Sequence, residues 1–300
     1  MLHNNKELFE QIVLTAAAFL KIEPAIIEKD YYVTLFLKEM VKIRPDIVFK
    51  GGTSLSKCYG VIKRFSEDID LNLAGETKPT EGQRRKLKND IETVVNRLNF
   101  RIINAEDIFS KRDFNRYIIK YPVTLAASYL KSQIIVETAV FFRTYPDVTL
   151  DATNYIYDYL KETGHLELAA EYTLEPFKII AQSAERTMID KLYALGDYYL
   201  SGEITEHSRH IYDIYKLSDI VTVNDELRKL AADVRKERQT HKTCLSAQEG
   251  INLNNLLLEM LDNEAFKADY ESITESLLFE DVDYDIAAKG IKRVLQNKLF

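Results

Sequence analysis

The sequence predicts an α+β fold in which a mixed-sheet α/β core carries helices at both ends, and three observations carry that expectation. Residues 6–20 and 24–41 read as amphipathic helices, the second presenting Ile26, Ile27, Tyr31, Leu35 and Leu37 at near-helical spacing. Residues from 46 to about 150 alternate β-branched or aromatic runs with helical stretches. From Pro176 onward only helical periodicity is visible, as in Ala184, Met188, Leu192, Leu195 and Tyr199, which fall four, four, three and four residues apart. The divisions predict N-terminal helices over 1–45, an α/β core over 46–175 on which they pack, and a helical domain over 176–300.

Within the core, Ile47-Val48-Phe49 is a short strand signal that Gly51 and Gly52 punctuate. Residues 53–59 then read as the first turns of a helix with Thr53 or Ser54 as its cap. A second strand is expected over 69–73, and side-chain alternation places Asp68 and Asp70 on one face with Ile69 and Leu71 on the other. A helix over 81–98 follows, then a short strand at 100–103. Two further strands, over 117–125 and 133–142, are joined by a turn near 127–131. No repeat or low-complexity tract interrupts the chain.

Composition bounds the function classes. Three hundred residues with 46% hydrophobic and 29% charged content are those of a folded globular protein of one large or two ordinary domains. No apolar stretch approaches the ~20 residues of a membrane span, and the N-terminus lacks a signal-peptide pattern. The isolated Cys58 and Cys244 argue against a disulfide framework or a thiolate metal site. A cytoplasmic location is expected. The net charge of −7 argues against non-specific nucleic-acid binding through overall charge. Any RNA contact would run through local patches: Arg84-Arg85-Lys86 with Lys88, Lys111-Arg112 with Arg116, or residues 228–242.

The chemistry-bearing feature is Lys50-Gly51-Gly52-Thr53-Ser54-Leu55-Ser56-Lys57 followed by Asp68-Ile69-Asp70-Leu71, with fifteen residues between Gly52 and Asp68. A strand–diglycine–helix unit points backbone N–H groups at one spot, which favours phosphate oxygens. Two carboxylates on one strand face are the hard oxygen ligands Mg²⁺ requires, with substrate phosphates and water completing the shell. Either half alone is commonplace; their conjunction on consecutive strands is not. The five histidines show no metal-ligand spacing, and no Ser-His-Asp order is visible.

These segments, with Arg64-Phe65-Ser66-Glu67 leading into the carboxylates, resemble the signature of the AbiEii/AbiGii toxin family (MenT-like), a branch of the DNA polymerase β-like nucleotidyltransferase superfamily. Glu28-Lys29-Asp30-Tyr31, Asp190-Lys191-Leu192-Tyr193-Ala194-Leu195 and the stretch from Arg209 to Leu217 agree with it in order. The resemblance runs from about residue 25 to about 220.

The resemblance implies a polymerase-β-like mixed sheet and an NTP-dependent nucleotidyltransferase. By that resemblance it would move NMP to an acceptor hydroxyl, a tRNA 3′ end or similar RNA, as the toxin of a toxin–antitoxin or phage-defence system with a cognate antitoxin. Two Mg²⁺ ions would be held by Asp68, Asp70 and, as third carboxylate, Glu137, which lies within the apolar run 134–140 and reads equally as a strand carboxylate paired with a Lys or Arg. Gly51, Gly52, Thr53, Ser54 and Lys57 would hold phosphates. Lys191 is implied as a phosphate contact and Asp213 as part of the same constellation, although a snorkelling Lys at the core boundary and an intrahelical Arg209–Asp213 pair remain open. Tyr193, Tyr212 and Tyr215 read as base-stacking or core residues. Transfer to a small molecule or a protein hydroxyl, and a non-enzymatic nucleotide-binding module, are the alternatives.

Overall fold

The computed structural model of the chain describes residues 1–66, 68–75, 77–125 and 132–300. The chain resolves into two compact units, one of residues 1–60 and 65–181, the other of residues 61–64 and 182–300.

The first unit opens with helix α1 (Lys6–Leu20), whose Asn5 side chain caps the Leu8 N–H and whose end is Lys21 in a left-handed conformation. Helix α2 (Pro24–Ile43) starts on proline, which forfeits only an N–H that has no helical partner there. Among the described residues seven strands form one mixed sheet: β1 (Ile47–Lys50), β2 (Asp68–Leu73), β3 (Arg101–Ile102), β4 (Phe114–Lys120), β5 (Gln133–Ala139), β6 (Asp147–Ala152) and β7 (Phe177–Gln182), in the order β3-β4-β5-β2-β1-β7-β6. The β1–β2 pair is antiparallel, while β1–β7 and β2–β5 are parallel. Helix α3 (Gly51–Lys57) links β1 toward β2, and α4 (Glu81–Arg97) begins at a reciprocal Thr80–Gln83 capping box. Helices α5 (Tyr155–Glu162) and α6 (Leu166–Glu171) connect β6 to β7. One sheet face carries Phe49, Leu71, Ile69, Val136 and Tyr117, all buried in the core that α2 and α4 share.

The second unit holds α7 (Ala184–Ser201), α8 (Arg209–Leu217), α9 (Asp225–Gln239), α10 (Leu253–Asp262) and a terminal helix, Tyr284–Gln296. Gly290 lets the terminal helix lie directly on α8, since a Cβ there would fall 2.3 Å from the Tyr215 Cα.

Several expectations need correction. The stretch from Pro176 is not wholly helical: β7 is buried beside β1, and a six-residue strand with Ile179 and Ala181 inward is too short to stand out before a long helical run. Strand β6 escapes because its exposed residues do not alternate. Helix α3 begins at Gly51 with Lys50 in the cap position, so neither Thr53 nor Ser54 is a cap. Strands β4 and β5 stop at Lys120 and Ala139; the turn expected at 127–131 lies outside the described residues.

Candidate active site

The bend between β1 and α3 closes directly over a carboxylate. Gly51 sits at φ +74, and a Cβ built on it would lie 1.9 Å from Asp70 Oδ2 and 2.9 Å from its Cγ. Only glycine tolerates both the backbone angle and that approach. Gly51→Ala is therefore expected to cost about 1–3 kcal/mol and to displace the Asp70 carboxylate; thermal melting and a nucleotide-binding titration on the same sample check both effects.

Register sets the electrostatics around that carboxylate. Lys50 is opposite Asp70, Asp70 opposite Glu137, and Glu137 opposite Arg116, so the four share one face across β1, β2, β5 and β4. Neighbouring strands lie about 5 Å apart, which places two acids side by side between two bases. Asp68 projects from the same face two residues earlier, opposite Ile135. Asp68 and Asp70 are partly exposed, whereas Ile69 and Leu71 are fully buried, as strand alternation requires. Glu137 Oε1 lies 3.3 Å from Arg116 Nε. The arginine is half exposed, so the pair contributes under about 1 kcal/mol and gives way cheaply to a stronger cation.

Among the described residues no three Asp, Glu, His or Cys side chains form a ready-made cation cage. The donor set that suits a divalent ion is the Asp68–Asp70 pair, with substrate oxygens and water supplying the rest. The Gly51 bend fits that role by bringing backbone against the Asp70 carboxylate.

The hydroxyls and the lysine of the glycine motif do not face outward. Thr53 Oγ1 donates to the Asp68 carbonyl at 2.6 Å and lies 2.9 Å from Ser66 Oγ; Ser54 Oγ donates to the Gly51 carbonyl at 2.9 Å. Both residues are buried. They brace the bend against β2, which leaves phosphate contact there to backbone N–H groups. Lys57 Nζ donates to Asp30 Oδ1 at 2.6 Å and to Thr34 Oγ1 at 2.5 Å, so its ammonium is turned toward α2.

Lys191 and Asp213 meet in the second unit. Asp213 is fully buried and accepts from Arg64 Nε and an Arg64 terminal nitrogen, both at 2.7 Å, while Lys191 Nζ lies 2.7 Å from Asp213 Oδ2. Burial alone would raise the Asp213 pKa, but Arg64 and Lys191 outweigh it and hold the carboxyl far below its usual range. Burial lowers the Lys191 pKa, with Asp213 opposing. His210 Nδ1 lies 3.2 Å from Lys191 Nζ; burial and the adjacent ammonium keep that imidazole neutral, so Nδ1 accepts. The intrahelical spacing from Arg209 gave no sign of the Arg64 clamp. Tyr193 and Tyr212 are core residues, and the Tyr212 hydroxyl donates to Glu280 at 2.6 Å and accepts from the Lys63 N–H at 2.9 Å.

Several cations of the basic patches have acidic partners or backbone contacts. Arg84 pairs with Asp113, Arg85 with Glu81, Lys88 with Glu92, Arg228 with Asp225 and Lys236 with Asp233, while Arg235 donates to the backbone carbonyls of Ala247, Gln248 and Ile251. Two residues quoted within the motif segments but given no role there are Lys50, whose parity with Asp70 follows from strand register, and Arg64, whose partner is 149 positions away and leaves no local signal.

The described helices include none long and apolar enough to cross a membrane. No curated protein resembles the chain significantly. Among solved structures, the crystal structure of JHP933 from Helicobacter pylori shows a distant likeness, at 14% identity and a TM-score of 0.43 over 90% of each chain. The family model described as nucleotidyl transferase AbiEii toxin, type IV TA system, matches residues 36–297, which take in the glycine bend, both aspartates, Lys191 and Asp213. The chain belongs to the AbiEii nucleotidyl transferase toxin family of type IV toxin–antitoxin systems.

Proposed function

We propose that this nucleotidyltransferase moves NMP from an NTP to the 3′ hydroxyl of an RNA, with tRNA as the favoured acceptor, in a Mg²⁺-dependent reaction in the cytoplasm opposed by a cognate antitoxin. The observation that carries the reading is the apposition of the Gly51 bend and the Asp70 carboxylate, which makes one place suited both to phosphate and to the cation that accompanies it. Backbone N–H groups from Gly51 to Ser54 would hold the β- and γ-phosphates. Asp68 and Asp70 would ligate Mg²⁺, and Glu137 would join them on leaving Arg116. When bound, the metal supplies acidity to the acceptor hydroxyl and charge neutralisation at the leaving pyrophosphate. Lys191 enters as an ammonium pre-positioned by Asp213 and His210, suited to phosphate charge. The proposed in-line displacement requires no covalent protein intermediate.

Incubation of the purified protein with Mg²⁺, each α-labelled NTP and total tRNA is expected to place label on RNA, and omission of the metal or addition of a chelator to prevent it. Label found only on protein or on small molecules would transfer the reading to another acceptor class. Stabilisation by NTP without any product would reduce it to a binding module.

A further inference from the structure

Strand β4 alternates strictly. Asn115, Tyr117 and Ile119 are buried, whereas Phe114, Arg116 and Lys120 are exposed and Ile118 is half-buried. Register carries this outer face to both neighbouring strands. Arg101 of β3 is directly opposite Lys120, and Lys120 is opposite Gln133 of β5; Arg116 is opposite Glu137, in the row that holds Asp70. Ile103, just past β3, donates its N–H to the Ile118 carbonyl at 2.9 Å, and alternation from Arg101 returns it to the same face.

Two properties of that face point to a polyanion with flat apolar groups. Arg101 and Lys120 are exposed like charges in direct opposition, an arrangement that costs the sheet stability, and among the described residues no carboxylate pairs with either. They stand so in a chain whose net charge is −7. Beside them Phe114 is 43% and Ile103 39% exposed, so apolar surface lies between cations. A single strand of nucleic acid needs both, cations for its phosphates and aromatic or apolar side chains for the faces of its unpaired bases. We infer that the outer face of β3 and β4 receives the single-stranded 3′ end of the acceptor RNA, an inference that rests on the RNA-acceptor reading above. Arg116 is two strands from Asp70, about 10 Å, and Lys120 is about 13 Å further along β4, beyond a triphosphate held at the Gly51 bend. A strand laid along β4, with phosphate on Arg101 and Lys120 and a base on Phe114, ends beside the row of Glu137 and Asp70. Arg116 is engaged with Glu137, so the recognising cations are the opposed pair that has no acid.

The test is fluorescence anisotropy on the full-length protein over a salt series, with a short 5′-fluorescein oligoribonucleotide ending in a free 3′ hydroxyl and with labelled total tRNA. The proteins are wild type, the double variant Arg101→Gln with Lys120→Gln, and Phe114→Ala. The double variant is expected to bind at least about tenfold more weakly and to lose about 1.4 from the slope of log affinity against log salt, about 0.7 for each phosphate contact removed. Phe114→Ala is expected to weaken binding about five- to hundredfold with the slope unchanged. NTP binding should be unmoved in both, and the double variant should melt no lower than wild type, because an opposition of like charges is relieved. Folded variants that bind both RNAs like the wild type overturn the inference. A wild-type dimer in sedimentation that the same substitutions disperse, with RNA affinity unaltered, also overturns it and gives the face to a second copy of the chain. Should the variants fail to fold, acetylation of Lys120 in the wild type, read by mass spectrometry, decides: protection by bound RNA supports the inference and unchanged reactivity overturns it. A wild type that neither binds nor labels RNA counts against the proposed function itself, whereas one that does both, with unimpaired variants, counts against this face alone.

Discussion

Asp70→Asn is expected to abolish label transfer, by on the order of 10³-fold or more in kcat, about 4 kcal/mol of barrier. The replacement is isosteric, so the close approach of Gly51 is preserved and only the charge is lost. Stability is expected to move the other way. Asp70 and Glu137 are directly opposed carboxylates, and like charges in that relation are destabilising, so removal of one should leave the melting midpoint unchanged or raise it slightly. Lys50 and Arg116 on either side temper the gain. A wild type that is less stable than its inactive variant would fit an acid pair kept for what it binds rather than for folding. Undiminished transfer by Asp70→Asn would remove the carboxylate pair from the chemistry.

Asp213→Ala is expected to cost about 3–5 kcal/mol in urea unfolding, because it strands two cations, Arg64 and Lys191, that are themselves almost fully buried. Asp213→Asn should cost less than the alanine, since the amide oxygen in the Oδ2 position still accepts from Arg64 and Lys191, although its NH2 then faces the Arg64 Nε–H. The pH dependence has a defined sign. Asp213 has a folded pKa depressed below the ordinary 3.8, so its contribution is fully present above about pH 4 and is lost as the pH falls through that value toward the folded one. The wild type should therefore destabilise steeply on acidification below pH 4, and Asp213→Asn should show a shallower acid limb in the same titration. Equal slopes in the two proteins would mean that the clamp does not hold its charge as the geometry indicates.

The sequence disclosed what short-range periodicity encodes. Asp68 and Asp70 share a face because a strand alternates, and the helices of the second unit announce themselves through residues such as Met188 and Leu192, which are fully buried. What it did not disclose depends on contacts distant along the chain. Lys57 belongs to the most suggestive motif of the protein, yet its ammonium is taken by Asp30, 27 positions earlier. The hydroxyls of Thr53 and Ser54 have the composition of a phosphate loop but fold inward onto carbonyls. Strand β7 needs its partner β1 to be recognised at all, since six residues of mixed character do not define a period.

Val61–Arg64 belongs to the same unit as Gln182–Phe300, although the segments on both sides of it belong to the other. The boundary between units is thus crossed more than once, and no single recombination point divides the gene into two self-contained modules. Transplanting residues 182–300 alone into another host chain would carry the buried Asp213 away from the Arg64 guanidinium that neutralises it, unless residues 61–64 moved as well. Chimaeras of this chain should therefore stay folded only when Arg64 and Asp213 travel together across the 149 positions that separate them.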